Sequence, residues 1–349
     1  MTRREFGLGA AASSVRAAPG SKIGAAIFGT GHAHAAGKAA ALGKLPQFEL
    51  AGFCEPRPEH CRNPAAFQGL RRLSERELLE DPSIELVAVE ARVQENLEYA
   101  EKCVAAGKHV HIDKPPGEDF RRFRRLLAAA AQRGLMVQMG YMWRYHPAMR
   151  AALRAAREGW LGHVYALRAT IDKPLSARER AELAAFRGGM MFELGCHMID
   201  RALELFGKPS KVTGVLRHDG PFGDSLADNT LAVLEFSRAM AEIYVAAHQP
   251  SGNRNRTLEV LGTNGSIAVR PFNPARLHTD LEKAAGPYAA GTASVAIPAG
   301  PLPTYGDDFL EMARVIREGG QPAYTAGHDL AVQAALLEAC GFSKKEIGI

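Results

Sequence analysis

A lysine beside two prolines is the first residue of this sequence with a position suited to chemistry. Lys114 follows an apolar run and precedes Pro115 and Pro116, so it stands at the end of a predicted strand with a stiff backbone after it. A lysine partly desolvated beside a positively charged ring has a lowered pKa and can exchange a proton with a substrate hydroxyl. The same pattern also fits an ordinary surface lysine before a Pro-Pro turn.

Glu193 and His197 form a second pair with chemical potential. They are four residues apart, so a helix places them on one face, and Asp200 and Glu204 extend that stripe. A carboxylate that orients an imidazole raises its basicity, as a general base for an alcohol proton requires. The spacing equally fits a solvated stripe or a Glu-x-x-x-His zinc pair. No third zinc ligand is evident, so we predict no metal.

A glycine turn has the form of a dinucleotide-binding loop, and its residues are Gly29, Thr30, Gly31, His32 and Ala33. Glycines there let backbone N–H groups approach a pyrophosphate at the N-terminus of the following helix, where the helix dipole favours anions. The third position of the usual glycine pattern is His34. The alternative is that the glycines serve only a tight turn.

The carboxylate of Glu55 follows the second predicted strand. It is placed to accept hydrogen bonds from ribose hydroxyls, and its charge would repel a 2′-phosphate, which favours NAD over NADP. Arg57 and Arg62 lie close in sequence and could accommodate that phosphate, so NADP stays open. We therefore predict cofactor contacts from Glu55, Arg57 and Lys114. The alternative is that Glu55 only caps a loop.

Residues 21–140 alternate short apolar runs with helix-period segments, a pattern typical of βαβ units in a doubly wound parallel sheet. The predicted strands are Ser21–Phe28, Leu50–Cys54, Leu86–Glu90, Val110–Asp113 and Met136–Met139. In such a Rossmann domain the carboxyl ends of the strands line the ligand crevice, which brings the glycine turn, Glu55 and Lys114 together.

Residues 141–349 have a different sequence pattern, in which most predicted strands follow one another without helices between them. This predicts a C-terminal α+β domain with an open, mainly antiparallel sheet. The strands are predicted at residues 163–171, 211–216, 230–236, 241–247, 257–261 and 266–269. Helices are predicted at 191–206, 307–317 and 329–340. Glycine, proline and alanine crowd residues 284–303, which indicates a long surface excursion.

Composition narrows the class of protein. At 349 residues the chain favours two domains of ordinary size, and no window is apolar enough to span a membrane. The net charge of +5 is small, and the basic run at 121–125 is interleaved with Phe120, Phe123 and Leu127, as in an amphipathic helix. We therefore predict no nucleic-acid partner. The five cysteines include no Cys-x-x-Cys pair and indicate no disulfide framework.

Residues 1–20 form a separate segment. Arg3 and Arg4 precede a weakly apolar stretch and Ala17-Ala18, which resembles a short twin-arginine export signal. The alternative is a disordered tail. The protein is accordingly expected to be cytoplasmic or, if the segment is functional, periplasmic or exported.

Taken together, four segments resemble the Gfo/Idh/MocA (glucose-fructose oxidoreductase/inositol dehydrogenase) family over residues 21 to about 345. They are the glycine turn, residues 106–115 with Asp113-Lys114-Pro115, residues 140–145, and the Gly-Gly helix at 188–200. The resemblance implies hydride transfer between nicotinamide and a carbon of a sugar, sugar acid or cyclitol. It assigns catalysis to Lys114, Glu193 and His197.

The resemblance also implies further contacts and an assembly. Arg144 and Tyr145, with Glu193 and His197, match positions that meet the substrate in similar proteins. The open sheet of the second domain is expected to pair with that of another subunit in a homodimer or homotetramer.

Three departures leave alternatives open. Asp113 replaces the glutamate of the family, Glu193 replaces an aspartate, and residues 91–96 replace a Thr-Pro segment that normally touches the nicotinamide side. One alternative is an NAD-dependent glycosidase that uses transient oxidation and elimination. Another is a catalytically silent NAD-binding or sugar-binding protein. The basic turn at 248–256 fits either contacts to a sugar acid or a solvated hairpin loop.

Overall fold

A computed structural model of the protein describes residues 21–298, 300 and 304–349. The predicted twin-arginine segment lies outside this range. Among the described residues, no helix combines the length and apolar character needed to cross a membrane.

The first sheet contains five parallel strands in the order β2-β1-β3-β4-β5, which confirms the predicted Rossmann arrangement. Its strands are β1 (Ile23–Phe28), β2 (Phe48–Cys54), β3 (Ile84–Val89), β4 (His109–Ile112) and β5 (Val137–Met139). The central strands are almost wholly buried, as in parallel sheets that are covered on both faces. Because β2 and β3 lie on opposite sides of β1, a crevice opens at the carboxyl ends of these strands.

Four helices connect these strands: α1 (Ala35–Lys44), α2 (Glu75–Glu80), α3 (Val93–Ala105) and α4 (Phe120–Gln132). Short 3-10 turns stand at Pro58–His60 and Pro64–Phe67. Helix α4 buries Phe120, Phe123 and Leu126 and directs much of its arginine-rich face outward. This is the amphipathic arrangement that the spacing of those residues predicts.

The second sheet has eight strands in the order β13-β12-β11-β10-β6-β9-β8-β7, and every neighbouring pair is antiparallel except β6 with β9. Its strands are β6 (Val164–Thr170), β7 (Lys211–Arg217), β8 (Asn229–Glu235), β9 (Met240–Ala246), β10 (Thr257–Gly262), β11 (Gly265–Val269), β12 (Arg276–Leu281) and β13 (Gly291–Ala296). The predicted, mainly antiparallel sheet is confirmed.

Helices cover one face of the second sheet. They include α5 (Pro147–Arg157), α7 (Cys196–Phe206) and α10 (Ala326–Ala339), and α7 continues a π-helical turn at Met191–Gly195. The remaining helical segments are a 3-10 turn at Met142–Arg144, α6 (Ala177–Leu183), α8 (Gly252–Asn255) and α11 (Lys344–Ile347). Alternate residues on the other face are exposed or half-buried.

The prediction of a continuous surface excursion over residues 284–303 is wrong in its middle. Residues 291–296 form β13, which pairs with β12, a strand that the sequence also did not reveal. All six residues of β13 are exposed, so the strand has no buried apolar face to identify it.

The end of the chain returns to the first sheet. Helix α9 (Gly306–Glu318) packs Phe309, Met312 and Ile316 into a cluster with residues of β1 and α1. Gln138 of β5 donates a hydrogen bond to the Asp308 carbonyl at 2.9 Å. The proposed domain boundary at residue 140 therefore lies between the two sheets in sequence. The hydrophobic core around the first sheet nevertheless includes residues of α9, near the C-terminal end of the sequence.

Candidate active site

The glycine turn lies at the carboxyl end of β1 in a conformation that requires glycine. Gly29 has a φ of 81°, and a Cβ there would stand 2.6 Å from Cα of Ala91. A Cβ on Gly31 would stand 2.8 Å from Cγ of Arg92. The Ala91 backbone and the Arg92 side chain thus lie too close to the turn for a residue larger than glycine.

This turn fits the diphosphate of a dinucleotide. The N–H groups of Gly31 and Ala33 have no acceptor among the described residues, and both precede the N-terminus of α1. Free N–H groups at the positive end of a helix dipole are suitable donors to phosphate oxygens. Ala33 is exposed, so its N–H is accessible to a ligand, whereas Gly31 is buried.

Glu55 is fixed beside the same turn. Its Oε2 atom accepts hydrogen bonds from the Thr30 N–H at 2.6 Å and the Thr30 hydroxyl at 2.8 Å, and its Oε1 atom accepts one from the Arg57 N–H at 3.0 Å. The Arg57 side chain forms an ion pair with Glu95. Glu55 thus stands where ribose contacts are predicted, whereas Arg57 is engaged elsewhere.

Lys114 joins the two sheets at the crevice. Its Nζ atom donates to Oε1 of Glu193 at 3.0 Å and to the Glu193 carbonyl at 2.9 Å, and its side chain is 1% exposed. Burial has the largest single effect and lowers the pKa of Lys114, but the charges of Glu193, Cys196 and Asp113, with the hydrogen bond to Glu193, together raise it. The lowering expected beside a positively charged nicotinamide is thus opposed by the protein residues around Lys114.

Glu193 does not orient His197 as the four-residue spacing predicts. Glu193 lies in the π-helical turn, and its carboxylate binds Lys114 instead. A π-helical turn holds more residues than an α-helical one, so the faces expected from α-helical spacing no longer coincide. The Lys114 ammonium holds the pKa of Glu193 below its usual range, although burial opposes this.

His197 is held by aromatic rings. Its ring centroid lies 4.5 Å from that of Trp143 and 5.8 Å from that of Tyr141, and its buried Nδ1 atom has no partner among the described residues. Burial, followed by the nearby Lys114 charge, holds the pKa of His197 well below 6.5. The imidazole is therefore neutral at neutral pH and free to accept a proton.

A cluster of buried charged side chains, which was not predicted from the sequence, lies next to the crevice. Lys38 of α1 donates to Glu90 at 2.7 Å and also binds Asp113. The Asp113 carboxylate also lies 3.2 Å from Nδ1 of His32 and 3.1 Å from Nδ1 of His34. Burial lowers the pKa of His34 to about 4, against the opposing charge of Asp113. An isolated lysine in an alanine-rich helix was the only sequence signal for this cluster.

Ligand atoms of His32, His34 and Asp113 lie within 4.8 Å of one another, close enough to hold a metal ion. The Lys38 ammonium, however, binds the same Asp113 oxygen that the histidines approach. A cation already balances this carboxylate, which disfavours a second one there.

Arg144, a predicted substrate contact, lines a cavity of about 880 Å³ but is largely engaged by other protein residues. It is 2% exposed, forms ion pairs with Asp200 and Asp329, and lies with its guanidinium 4.1 Å from the ring centroid of Tyr324. A buried guanidinium requires such partners, and this requirement explains its role as a structural contact. Tyr145 is only half-buried and lines two cavities, of about 880 and 570 Å³.

The 570 Å³ cavity lies next to His197. Trp143, which packs on the His197 ring, also lines this cavity, together with Phe272, Tyr305 and Arg256. Tyr305 in turn contacts the ring of His34 at a centroid distance of 5.3 Å. Trp143 therefore lies between His197 and this cavity, whose lining residues do not include Lys114, Glu193 or His197.

The unusual segment 91–96 contributes a polar network beside the glycine turn. Arg92 contacts Gly31 and pairs with Glu95 at 3.3 Å, and Glu95 also lies 3.3 Å from His60. Asn96 donates a hydrogen bond to the Asp113 carbonyl at 3.4 Å. The Arg92 side chain is 46% exposed, which leaves a solvent-accessible cation next to the predicted diphosphate site.

Comparison with known families agrees with this geometry. Residues 23–141 match the oxidoreductase family with an NAD-binding Rossmann fold, and residues 149–268 match the GFO/IDH/MocA C-terminal domain. Together these matches cover more than half of the chain. The chain belongs to the Gfo/Idh/MocA family of oxidoreductases. The resemblance and the NAD-binding domain are thereby confirmed.

Individual relatives within the Gfo/Idh/MocA family are distant. An uncharacterized oxidoreductase, ORF334 of Rhizobium meliloti, is 31% identical over 202 residues, which are 57% of this chain and 59% of that protein. Human trans-1,2-dihydrobenzene-1,2-diol dehydrogenase is 29% identical over 208 residues, 59% of this chain and 60% of that enzyme. The chain thus matches about three fifths of the length of these curated relatives.

Solved structures share the fold over nearly the whole length. Levoglucosan dehydrogenase in complex with NADH and levoglucosan has a TM-score of 0.76 at 21% identity and covers 92% of this chain and 98% of its own. GenD2 from gentamicin A biosynthesis, in complex with NAD, has a TM-score of 0.76 at 23% identity and covers 94% and 95%. At these identities the likeness establishes the fold alone.

Proposed function

We propose that this protein is an NAD(P)-dependent dehydrogenase that transfers hydride between nicotinamide and a CH–OH carbon of a sugar, sugar acid or cyclitol. One observation carries the proposal. Lys114, at the end of the first sheet and paired with Glu193, lies close enough to His197 from the second half of the chain for its charge to lower the pKa of the imidazole, and a glycine turn suited to a dinucleotide ends the first strand of the same sheet.

The chain supplies the proton chemistry. When bound, the cofactor supplies the hydride acceptor. His197 is neutral, so it is assigned the proton of the substrate hydroxyl. Lys114 is a buried cation that stabilises negative charge developing on the same oxygen. Glu193 positions the Lys114 amine.

Cofactor binding is assigned to the glycine turn and its neighbours. The N–H groups of Gly31 and Ala33 would hold the diphosphate, with His32 at the same turn, and Glu55 would accept from a ribose hydroxyl. The Glu55 charge favours NAD. Arg57 is drawn toward Glu95, which weakens the case for NADP.

We also propose that the open face of the second sheet pairs with a second copy. Val215, Leu231 and Tyr244 lie side by side across β7, β8 and β9 on this face. Val215 is 48% exposed, and Leu231 and Tyr244 are only half-buried. Adjacent exposed apolar residues of this kind are typical of an interface.

The test begins with the nucleotide that copurifies with the protein, followed by a screen of sugars, sugar acids and cyclitols for reduced-nicotinamide absorbance. Lys114→Ala should lower turnover by about 100-fold or more while nucleotide affinity stays within a few-fold. Lys211→Ala, at an exposed lysine on β7, is the control and should change neither. Full turnover by Lys114→Ala would reject the assigned role.

A further inference from the structure

The guanidinium of Arg256 makes no direct ion pair in the part of the chain that the structure describes. Its Nε atom donates to the Asp172 carbonyl at 3.2 Å. Burial lowers the pKa of Arg256, because desolvation disfavours its charge more than Asp172 favours it. An arginine stays protonated even so, and a desolvated guanidinium with unused donors is costly unless a ligand satisfies it.

Arg256 faces the cavity next to His197. It lines the 570 Å³ cavity, and its guanidinium carbon lies 5.5 Å from the ring centroid of Trp143. The Trp143 ring also lies 4.5 Å from that of His197. A group bound by Arg256 is therefore only one aromatic ring away from the proposed base.

The rest of the cavity is suited to a hydroxylated molecule. Arg254 adds a second cation to its lining, and Asp307 and Asp308 supply acceptors. Neither aspartate pairs with Arg254 or Arg256 in the described structure, and the half-buried Asp307 remains available to a ligand. Asp308 is 1% exposed, and its Oδ2 atom has no hydrogen-bond partner among the described residues and lies 3.9 Å from Nε2 of His111.

We propose that the substrate carries a carboxylate, which the Arg256 guanidinium binds, with Arg254 assisting, while its hydroxyls meet the acidic part of the cavity. The substrate class is then the sugar acids, either uronates or aldonates. A guanidinium fork matches a carboxylate with two parallel hydrogen bonds, whereas a neutral hydroxyl would leave its charge unbalanced. This inference rests on the proposed dehydrogenase function.

The experiment compares each acid with its neutral amide of nearly the same shape. Wild-type protein with NAD is assayed on hexuronates and hexonates, such as D-glucuronate and D-gluconate, and on the corresponding amides. Calorimetric titration of the NAD-loaded protein with the same compounds provides a readout independent of turnover. The variants are Arg256→Gln and, as a matched control at an exposed arginine of the β8–β9 hairpin, Arg238→Gln.

We expect at least one acid to exceed its amide in kcat/KM by about 10- to 100-fold, mainly through KM. Arg256→Gln should remove this preference and leave the amide within about 3-fold, and Arg238→Gln should preserve it. Equal values for every acid and its amide, or equal losses on both in Arg256→Gln, would overturn the inference.

The two readouts separate this inference from the proposed function. Reduction of NAD by neutral polyols, without tighter binding of any acid, would leave the dehydrogenase function standing and reject the carboxylate site. Tighter binding of an acid that depends on Arg256, without any reduction of NAD, would support the carboxylate site and reject the dehydrogenase function. Absence of both binding and turnover across the panel would reject both.

Discussion

At the scale of residues, the site depends on charges that are buried and balanced in pairs. Lys38 stands between Glu90 and Asp113, and Lys114 stands against Glu193. Each ammonium offsets the desolvation free energy of a neighbouring carboxyl group. Removal of one partner therefore leaves the other buried without that compensation. The crevice is held in shape by these pairs rather than by apolar packing alone.

Lys38→Met should destabilise the protein by about 3 to 5 kcal/mol, because the buried Asp113 carboxylate loses its cation and Glu90, whose pKa burial already raises well above its usual range, loses its hydrogen-bond donor. Without Lys38 the pKa values of these carboxylates rise in the folded state, so the deficit should shrink as the pH falls toward their unfolded values of about 4. Urea unfolding at several pH values measures this change. Lys38→Met/Glu90→Gln should recover part of the loss, and a deficit that does not vary with pH would contradict the assignment.

His34 should make the protein sensitive to mild acid. Its pKa is about 4 in the folded state, against 6.5 when unfolded, so its contribution is complete above pH 6.5 and is lost as the pH falls toward 4. In His34→Gln, the fall in unfolding free energy over this interval should be smaller by about 1 to 3 kcal/mol. Parallel stability curves for the variant and wild type would show that His34 is not the group that titrates.

At the scale of elements, three segments form the crevice: the β1–α1 turn, the end of β4 and the π-helical turn before α7. The strands of the first sheet and the glycine turn were predictable, since they depend on local periodicity and spacing. The partner of Glu193 was not, because α-helical spacing does not reveal a π-helical turn. The burial of Arg144 was not predictable for a related reason, as it depends on Asp329 far along the chain.

Replacement by alanine should have opposite effects on stability at Gly29 and at Gly43. Gly29→Ala places a Cβ 2.6 Å from Cα of Ala91 at a φ of 81°, and should lower stability by about 1 to 3 kcal/mol and NAD affinity by 10-fold or more. Gly43→Ala lies in α1 with nothing within 4 Å of its Cβ, and should raise stability by about 0.5 to 1 kcal/mol.

Thermal unfolding and fluorescence titration with NAD distinguish these outcomes. Gly43→Ala should bind NAD like the wild type, because it lies at the far end of α1 from the turn. Unchanged NAD affinity in a folded Gly29→Ala protein would show that the turn does not hold the cofactor.

At the scale of the whole molecule, the two sheets are joined by chain segments that the sequence does not reveal as partners. Helix α9 returns to the first sheet, and an ion pair between Arg62 and Glu182 links the two halves of the chain. The sequence predicted both sheets because each has its own periodicity. It did not predict the exposed edge strand β13 or the packing of α9, because both depend on contacts distant in sequence.

The proposed pairing of the second sheets can be tested by charge. Leu231→Arg on the open face should convert the assembly into monomers, since a charge buried at the interface is left unpaired. Light scattering after size exclusion measures the mass. Ile349→Arg, at an exposed apolar residue outside the sheet, is the matched control. A wild type that is already monomeric would contradict the pairing.

The central claim is that Lys114 and His197 act on one hydroxyl carbon beside bound NAD. Its most direct measurement is the amount of reduced nicotinamide formed when NAD-loaded protein meets sugars, sugar acids and cyclitols in a single turnover. The account predicts reduction by at least one compound in the wild type and its loss in Lys114→Ala of equal NAD affinity. Tight NAD binding without any reduction, or glycoside cleavage without net reduction, would contradict it.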